Sequence, residues 1–197
     1  MPMKRTLRLP LPYERRVAAF DAAVDRQFDR IRGRRFADRL FYGASTVGDH
    51  GMIWLFLGAL RGLRSNEHWP AAVRLGIGVG VESALVNLGI KSFFRRPRPI
   101  SEIVRPLHLR TPLTSSFPSG HATSAFTAAA LLSDGDRRLR PLYYALAVVV
   151  ASSRIHVRIH HASDVVAGVV VGIGLGALGR RLFPLPVAPV PSSLPES

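Results

Sequence analysis

Apolar residues along this chain are gathered into long runs, and polar residues separate the runs. Five of these runs are predicted to be membrane-spanning helices, at about residues 41–63, 71–91, 119–133, 140–153 and 162–183. Asp49 and His50 interrupt the first run, and the third and fourth are short against the roughly 20 residues that a bilayer requires. The pattern predicts an all-α fold, an integral membrane helical bundle of about five transmembrane helices.

A different pattern precedes these runs, over residues 13–33. Apolar residues recur there at spacings of three or four, which is typical of a helix with one apolar face. The apolar face comprises Val17, Phe20, Val24, Phe28 and Ile31, and the other face comprises Asp21, Asp25, Arg26, Asp29 and Arg30. Because this helix is too polar to span, we expect it to lie on the membrane surface or against the ends of the bundle.

Composition supports one membrane domain. The 197 residues are 47% hydrophobic and yet carry a formal net charge of +14, so the apolar and basic residues must be segregated, as a bilayer requires. We predict a disordered basic leader over 1–12, a membrane-embedded domain over 13–183 and a disordered tail over 184–197. A soluble nucleic-acid binder is disfavoured, because no nucleic-acid module accompanies the charge. The chain has no cysteine, which excludes disulfides and thiolate chemistry.

Small and polar residues inside the runs have structural interpretations. Glycines allow helices to approach closely, and they are found at Gly76, Gly78, Gly80, Gly168, Gly172, Gly176 and Gly179. Arg74 is long enough to reach the membrane surface from within its run. Glu82 and Asn87 are expected to face other helices, because a polar group in contact with lipid is costly.

Three polar segments stand at the ends of apolar runs: Lys91–Pro99, Pro118–His121 and Ser153–Asp164. The first follows the second run, the second opens the third run, and two further crossings return the third segment to the same side. One topology therefore brings all three segments together.

The basic residues in these segments suit a phosphate group. Lys91, Arg98 and Arg154 can meet phosphate oxygens as a point charge and as planar forks. A basic residue at the end of a span also anchors the helix to lipid headgroups. We prefer that anchoring interpretation for Arg95, Arg96, Arg105, Arg110 and Arg158.

The segment Pro118–His121 predicts an anion site at a helix start. Ser119 is a good N-cap, and the first amides of a helix attract anions. Gly120 allows close backbone approach, and His121 then lies in the first turn beside a bound phosphate. An ordinary N-cap followed by an interfacial histidine would leave the same pattern.

In the third segment, His160 and Asp164 are four residues apart and share one face if the helix begins by about residue 160. A carboxylate there can hold one ring nitrogen and leave the other as a nucleophile. His161 competes for this role, and His156 raises a zinc interpretation, which we disfavour because a third ligand is missing. Acidic residues are scarce near these segments, which argues against a Mg²⁺ site.

Together, Lys91-x6-Arg98-Pro99, Pro118-Ser119-Gly120-His121 and Ser153-Arg154-x5-His160-x3-Asp164 resemble the tripartite signature of the type 2 phosphatidic acid phosphatase superfamily. The resemblance implies that phosphate is held by Lys91, Arg98, Arg154, the Ser119 hydroxyl and the Gly120 amide. It implies further that His160 attacks phosphorus, Asp164 orients His160, and His121 protonates the leaving oxygen and then activates water. It also implies a metal-free reaction with no cofactor.

Membrane members of this superfamily usually have six spans, so the five predicted here resemble the compact actinobacterial members, some of which act on decaprenylphosphoryl phosphoribose. We expect a multi-pass protein of the plasma membrane whose partners are a lipid phosphate substrate and membrane lipids, with no nucleic acid; self-association stays open. The ten Lys and Arg of residues 1–37 favour a cytoplasmic N-terminus and hence a cytoplasmic-facing site. The alternatives are a catalytically silent lipid-phosphate-binding protein of the same fold and a vanadate-dependent oxidase, which the small size and the spans disfavour.

Overall fold

The computed structural model of the protein describes residues 12–99, 109 and 114–186. The predictions made for residues 1–11, for the tail beyond residue 186, and for Arg105 and Arg110 concern residues outside these ranges.

Every regular element within the described ranges is a helix, which confirms the all-α prediction. The helices are α1 (Pro12–Asp29), α2 (Arg35–Val47), α3 (Met52–Gly62), α4 (Trp69–Ala84), α5 (Lys91–Phe93), α6 (Gly120–Gly135), α7 (Arg140–His156) and α8 (Ala162–Leu182). Two 3₁₀ turns, Asp49–Gly51 and Asn66–His68, precede α3 and α4, and a π-helical turn, Leu85–Ile90, joins α4 to α5.

Helix α6 is the centre of the bundle, and α8, α7 and α4 pack around it. Its closest neighbour is α8, because glycines on α8 leave room for the α6 backbone. A Cβ atom at Gly168 would lie 2.6 Å from the carbonyl oxygen of Ser119, and one at Gly172 would lie 2.5 Å from that of Thr123. The predicted packing role of Gly168, Gly172 and Gly176 is confirmed, since a larger residue would push the two helices apart.

Two helical segments are long and apolar enough to cross a membrane by length and composition, Asn66–Phe93 with 28 residues and Ala162–Leu182 with 21 residues. Helices α6 and α7 have 16 and 17 residues, or about 25 Å at 1.5 Å per residue. The count of five spans therefore stays a prediction.

The prediction of one helix over residues 41–63 is wrong. Helix α2 ends at Val47 and α3 begins at Met52, because the backbone of His50 and Gly51 is left-handed, with φ of 54° and 69°. This break turns Asp49 toward His121, whose Nε2 lies 3.0 Å from the Asp49 carboxylate. The polar interruption in the sequence is thus a loop that faces the interior.

Several predictions about α4 are also corrected. Arg74 does not reach for the membrane surface; it is buried, and its guanidinium lies 2.8 Å from the Asp134 carboxylate. A Cβ atom at Gly76 or Gly80 would meet nothing within 4 Å, so neither glycine is required for close packing there. Glu82 is buried, as expected for a polar residue that faces other helices.

Helix α1 is amphipathic, but its faces differ from the prediction at three positions. Val24 and Phe28 pack against the core as expected, whereas Val17 and Phe20 are 38% and 45% exposed and Asp21 is only 8% exposed. Asp21 is buried because α1 lies against α8, where the Ser163 backbone amide donates to its carboxylate. Periodicity alone places Asp21 on the exposed face, because it does not reveal a buried partner such as the Ser163 amide.

Candidate active site

The three predicted segments meet at one end of the bundle, around a cavity of about 220 Å³. Helix α5, the start of α6 and the α7–α8 connection all contribute to its walls. Six of the eight predicted site residues line the cavity: Lys91, Arg98, Gly120, His121, Arg154 and His160. The other two, Ser119 and Asp164, are fully buried behind that wall.

Three cationic side chains come from different elements. Lys91 follows the π-helical turn, and its ammonium donates to Asn87 Oδ1 at 2.9 Å. Arg154, near the end of α7, is 1% exposed and donates to Ser45 Oγ on α2. Arg98 lies in the extended segment after α5, where its Nη2 donates to the Thr114 carbonyl at 3.1 Å. Three cations around one small cavity strongly favour a multiply charged anion.

The start of α6 forms another wall. Ser119 is the N-cap residue as predicted, but its side chain makes no cap hydrogen bond, and its buried hydroxyl has no partner among the described residues. A Cβ atom at Gly120 would lie 3.5 Å from Lys91 Nζ, so a larger residue would enter the space beside the ammonium group. The first amides of α6 lack partners within the helix and can meet a ligand oxygen, whereas the Ser119 hydroxyl is fully buried behind the wall.

His121 is held from α2 and the loop after it. Its Nε2 lies 3.0 Å from Asp49 Oδ1 and 3.2 Å from the Ser45 carbonyl. Both groups accept, so Nε2 carries a proton. The neighbouring Asp49 carboxylate favours the imidazolium form of the ring, while burial and the charge of Arg154 oppose it. The sequence pattern marks Asp49 only as an interruption of an apolar run, and it does not mark Ser45 at all.

His160 is 3% exposed, and its hydrogen-bond partners define its tautomer. Arg98 Nη1 lies 3.1 Å from His160 Nε2, and a guanidinium can only donate, so Nε2 is the acceptor and Nδ1 carries the proton. Burial, aided by the charges of Arg154 and Arg98 and opposed by Asp164, lowers the pKa of His160 to about 3. At neutral pH the ring is uncharged, and Nε2 presents a lone pair toward the cavity.

The link between His160 and Asp164 differs from the predicted one. Helix α8 begins at Ala162, so the two residues do not share a helical face, and Nδ1 lies 3.8 Å from Asp164 Oδ2. Ser116 stands between them. Its Oγ lies 3.4 Å from His160 Nδ1 and donates to Asp164 Oδ2 at 2.6 Å. The carboxylate therefore reaches the ring mainly through a serine hydroxyl that sequence reasoning missed.

The two other histidines of this segment lie outside the cavity. His161 is the N-cap of α8 and forms a capping box with Asp164, whose carboxylate accepts from the His161 amide at 2.9 Å. His156 is buried among aromatic rings, 4.6 Å from the ring of Phe41 between centroids, and its Nε2 lies 2.8 Å from Asp38 Oδ1. Within the described ranges, no group of three His, Cys, Asp or Glu residues is arranged to hold a metal ion.

The anchoring interpretation is wrong for Arg96. Its guanidinium points inward and donates to Asp164 Oδ1 and Asp21 Oδ2, both at 2.6 Å. The sequence contains a pattern that predicts this inward orientation. Arg96 and Arg98 each precede a proline, which favours extended backbone. In an extended segment, residues two apart point to the same side. Arg95, which directly precedes Arg96, is exposed, and Arg158 pairs with Asp29 at 2.6 Å.

The cavity thus combines an anion-binding wall, a neutral histidine whose unprotonated Nε2 accepts from Arg98, and a second histidine that carries a proton beside a carboxylate. A family model described as the PAP2 superfamily matches residues 71–186, a range that contains all three motifs. The chain belongs to the PAP2 superfamily. The fold resemblance inferred from the motifs is therefore confirmed.

A named relative supports the class of enzyme. Decaprenylphosphoryl-5-phosphoribose phosphatase from Mycobacterium tuberculosis is 40% identical over 139 residues, which are 69% of this chain and 75% of the relative. The PAP2 member described here is accordingly a phosphatase.

Solved PAP2 structures share the fold. Aquifex aeolicus LpxE superposes with a TM-score of 0.63 at 24% identity, covering 81% of this chain and 94% of that one. A transmembrane PAP2-type phosphatidylglycerolphosphate phosphatase from Bacillus subtilis gives a TM-score of 0.59 at 22% identity, covering 85% and 86%. These likenesses show that the chain shares the fold of both proteins.

Proposed function

We propose that the protein hydrolyses a phosphate monoester or diphosphate of a membrane lipid, without a metal, through a phosphohistidine on His160. The observation that carries the proposal is the Arg98 to His160 contact, because it makes Nε2 the unprotonated ring nitrogen at the wall of a cavity lined by cations. Arg98 releases this nitrogen when its guanidinium turns to the phosphoryl oxygens. A neutral imidazole in that position is a competent nucleophile.

In the first step, the His160 Nε2 lone pair attacks phosphorus while the bond from phosphorus to the lipid oxygen breaks. Lys91, Arg98 and Arg154 stabilise the charge that spreads over the phosphoryl oxygens. The leaving oxygen takes a proton from His121. The His160 Nδ1 proton stays in the hydrogen-bonded chain through Ser116 to Asp164, which stabilises the positive charge that develops on the ring.

In the second step, His121 is neutral and accepts a proton from water. The resulting hydroxide attacks phosphorus and the bond from phosphorus to Nε2 breaks, which releases inorganic phosphate and restores neutral His160. His121 is then protonated again, so both rings return to their starting states. The same residue acts as acid and then as base, as microscopic reversibility requires.

A metal-free reaction is supported by the donor set in the cavity. Lys91, Arg98 and Arg154 supply the positive charge that Mg²⁺ supplies in many phosphoryl-transfer enzymes. Among the described residues, Glu82 and Asp49 are the carboxylates that line the cavity, and Asp49 is already paired with His121. Glu82 alone supplies too few oxygen ligands to hold a hard cation such as Mg²⁺.

The lipid class is proposed from the relative and from the membrane setting. Polyprenyl phosphates come first in the test panel, because the Mycobacterium tuberculosis relative is named for decaprenylphosphoryl-5-phosphoribose. Phosphatidic acid and phosphatidylglycerophosphate follow, as lipids with the same phosphate monoester. The alternative, a silent lipid-phosphate binder, predicts binding of the same lipids without phosphate release.

The test is phosphate release from this panel by the purified protein in detergent with EDTA present. We expect His160→Ala to abolish phosphate release and His161→Ala to retain at least about a third of it, since of these two neighbours His160 lines the cavity and His161 does not. The matched pair differs by one position in the chain. Loss of release in His161→Ala alone would reject His160 as the nucleophile, and loss of wild-type release on adding EDTA, restored by Mg²⁺, would reject the metal-free reaction.

We further propose five spans with the site on the cytoplasmic face of the plasma membrane, supported by the ten Lys and Arg of residues 1–37. The chain has no cysteine, so single cysteines report the side of each position. Arg95→Cys lies at the site end and Arg137→Cys just beyond the other end of α6, and both positions are exposed. We expect a membrane-impermeant maleimide to label only Arg137→Cys in intact cells; labelling of Arg95→Cys alone would place the site outside.

A further inference from the structure

Helix α1 contributes a buried carboxylate to the rear of the active site. Asp21 Oδ1 accepts from the Ser163 backbone amide at 2.7 Å, and Oδ2 accepts from the Ser163 hydroxyl at 2.9 Å. Ser163 is the second residue of α8, so Asp21 satisfies an amide that the helix itself leaves unpaired. The side chain is 9% exposed, which makes it part of the interior and not of the polar face of α1.

The same carboxylate is joined to the site by one arginine. Arg96 Nη2 donates to Asp21 Oδ2 and Arg96 Nη1 donates to Asp164 Oδ1, both at 2.6 Å. Arg96 Nη1 also lies 2.7 Å from the Ser163 hydroxyl. A planar guanidinium between two carboxylates fixes their separation, because its nitrogens are held rigidly in one plane.

This arrangement divides the two oxygens of Asp164 between two tasks. Oδ1 is held by Arg96 from the α1 side, while Oδ2 accepts from Ser116, the residue that contacts His160. The carboxylate is 0% exposed, so its orientation depends on these partners and not on water. Removing the charge of Asp21 would leave Arg96 with one carboxylate instead of two and free it to shift.

We infer that Asp21 and Arg96 are positioning residues, and that α1 is a working part of the catalytic site through the chain Asp21–Arg96–Asp164. The inference rests on the proposed function in taking Asp164 as the carboxylate that orients His160. Neither residue lines the cavity around His160, so we expect them to affect the rate of phosphoryl transfer and not the binding of the phosphate.

The test compares Asp21→Asn with Asp25→Asn, a matched change one turn along the same helix. Asp25 is 44% exposed and pairs with Arg32, away from Arg96. We expect Asp21→Asn to lower kcat about tenfold with KM within about twofold, and Asp25→Asn to change neither by more than about twofold. Equal kcat in the two variants would overturn the inference.

A double-mutant cycle with Asp164→Asn separates positioning from general stability. In the Asp164→Asn background we expect Asp21→Asn to have no further effect on kcat, because the chain is already broken. An equal loss in both backgrounds would mean that α1 acts on the fold alone and would overturn the inference. Arg96→Lys, which keeps the charge but presents one nitrogen, gives the same comparison if Asp21→Asn does not accumulate as folded protein.

The cycle is also run on the melting temperature in detergent, which needs no turnover. If the wild-type protein releases phosphate from no lipid, the proposed function is contradicted. The melting-temperature cycle would still test whether Arg96 couples Asp21 to Asp164. Non-additive shifts in melting temperature for Asp21→Asn and Asp164→Asn would support this coupling, whereas shifts that simply add would refute it.

Discussion

Ser116 offers the sharpest test of how the orienting carboxylate acts. It is 0% exposed, and its hydroxyl lies between His160 Nδ1 and Asp164 Oδ2. Ser116→Ala removes the hydroxyl without adding volume. The direct distance from Nδ1 to Oδ2 is 3.8 Å, longer than a hydrogen bond, so the ring would lose its link to the carboxylate unless the backbone moved.

The size of the effect follows from one hydrogen bond to a charged group. Such a bond contributes about 1.5 to 3 kcal/mol, and each 1.36 kcal/mol of transition-state stabilisation is about tenfold in rate. If most of it is realised only when His160 becomes positively charged, kcat should fall about 10- to 150-fold. KM should change by less than about threefold, because Ser116 lies behind His160 and does not line the cavity.

The assay is steady-state phosphate release from the best lipid of the panel. Ser115→Ala is the matched control, since the Ser115 hydroxyl accepts from the Arg96 and Phe117 amides and does not contact Asp164. A kcat for Ser116→Ala equal to that of Ser115→Ala would refute the reasoning, as would a raised KM with unchanged kcat. Either result would mean that the carboxylate reaches the ring directly during turnover.

Two further predictions concern the acid and the helix packing. Asp49→Asn should lower kcat about tenfold or more in the same assay, because the charged partner of His121 Nε2 at 3.0 Å is lost; an unchanged kcat would exclude this carboxylate from the acid step. Gly172→Ala should lower the melting temperature in detergent, since its Cβ would lie 2.5 Å from an α6 carbonyl oxygen. Gly174→Ala, with nothing within 4 Å, is the control, and equal melting temperatures would contradict the packing argument.

The elements could be predicted from the sequence where a local pattern was sufficient. The long apolar run with glycines every fourth residue predicted α8 closely, and Ser119 before a helical run predicted the start of α6. The run at 41–63 failed, because its hydrophobic average concealed a left-handed turn at His50 and Gly51. In that turn Asp49 is directed at His121, a partner far away in the chain that no local pattern reveals.

The residue types of the site, and the end of the bundle at which they meet, could be predicted from the sequence alone. Motif spacing depends on local geometry and on the order of the apolar runs, so Lys91, Arg98, His121, Arg154 and His160 could be placed around one cavity in advance. Charge and hydrogen-bonding capacity are also properties of a residue type, and they limited the ligand to an anion before any contact was known.

Which groups support these residues could be seen only in the tertiary structure. Ser116 and Asp164 are 48 positions apart, and Asp21 and Ser163 are 142 apart, so no local period links them. Whether a serine, an aspartate or an arginine points to solvent or to the site depends on the packing of α1 and α8 and on an irregular segment between helices. Such packing is a property of the assembled fold, because a buried charge is stable only where its partners are already in place.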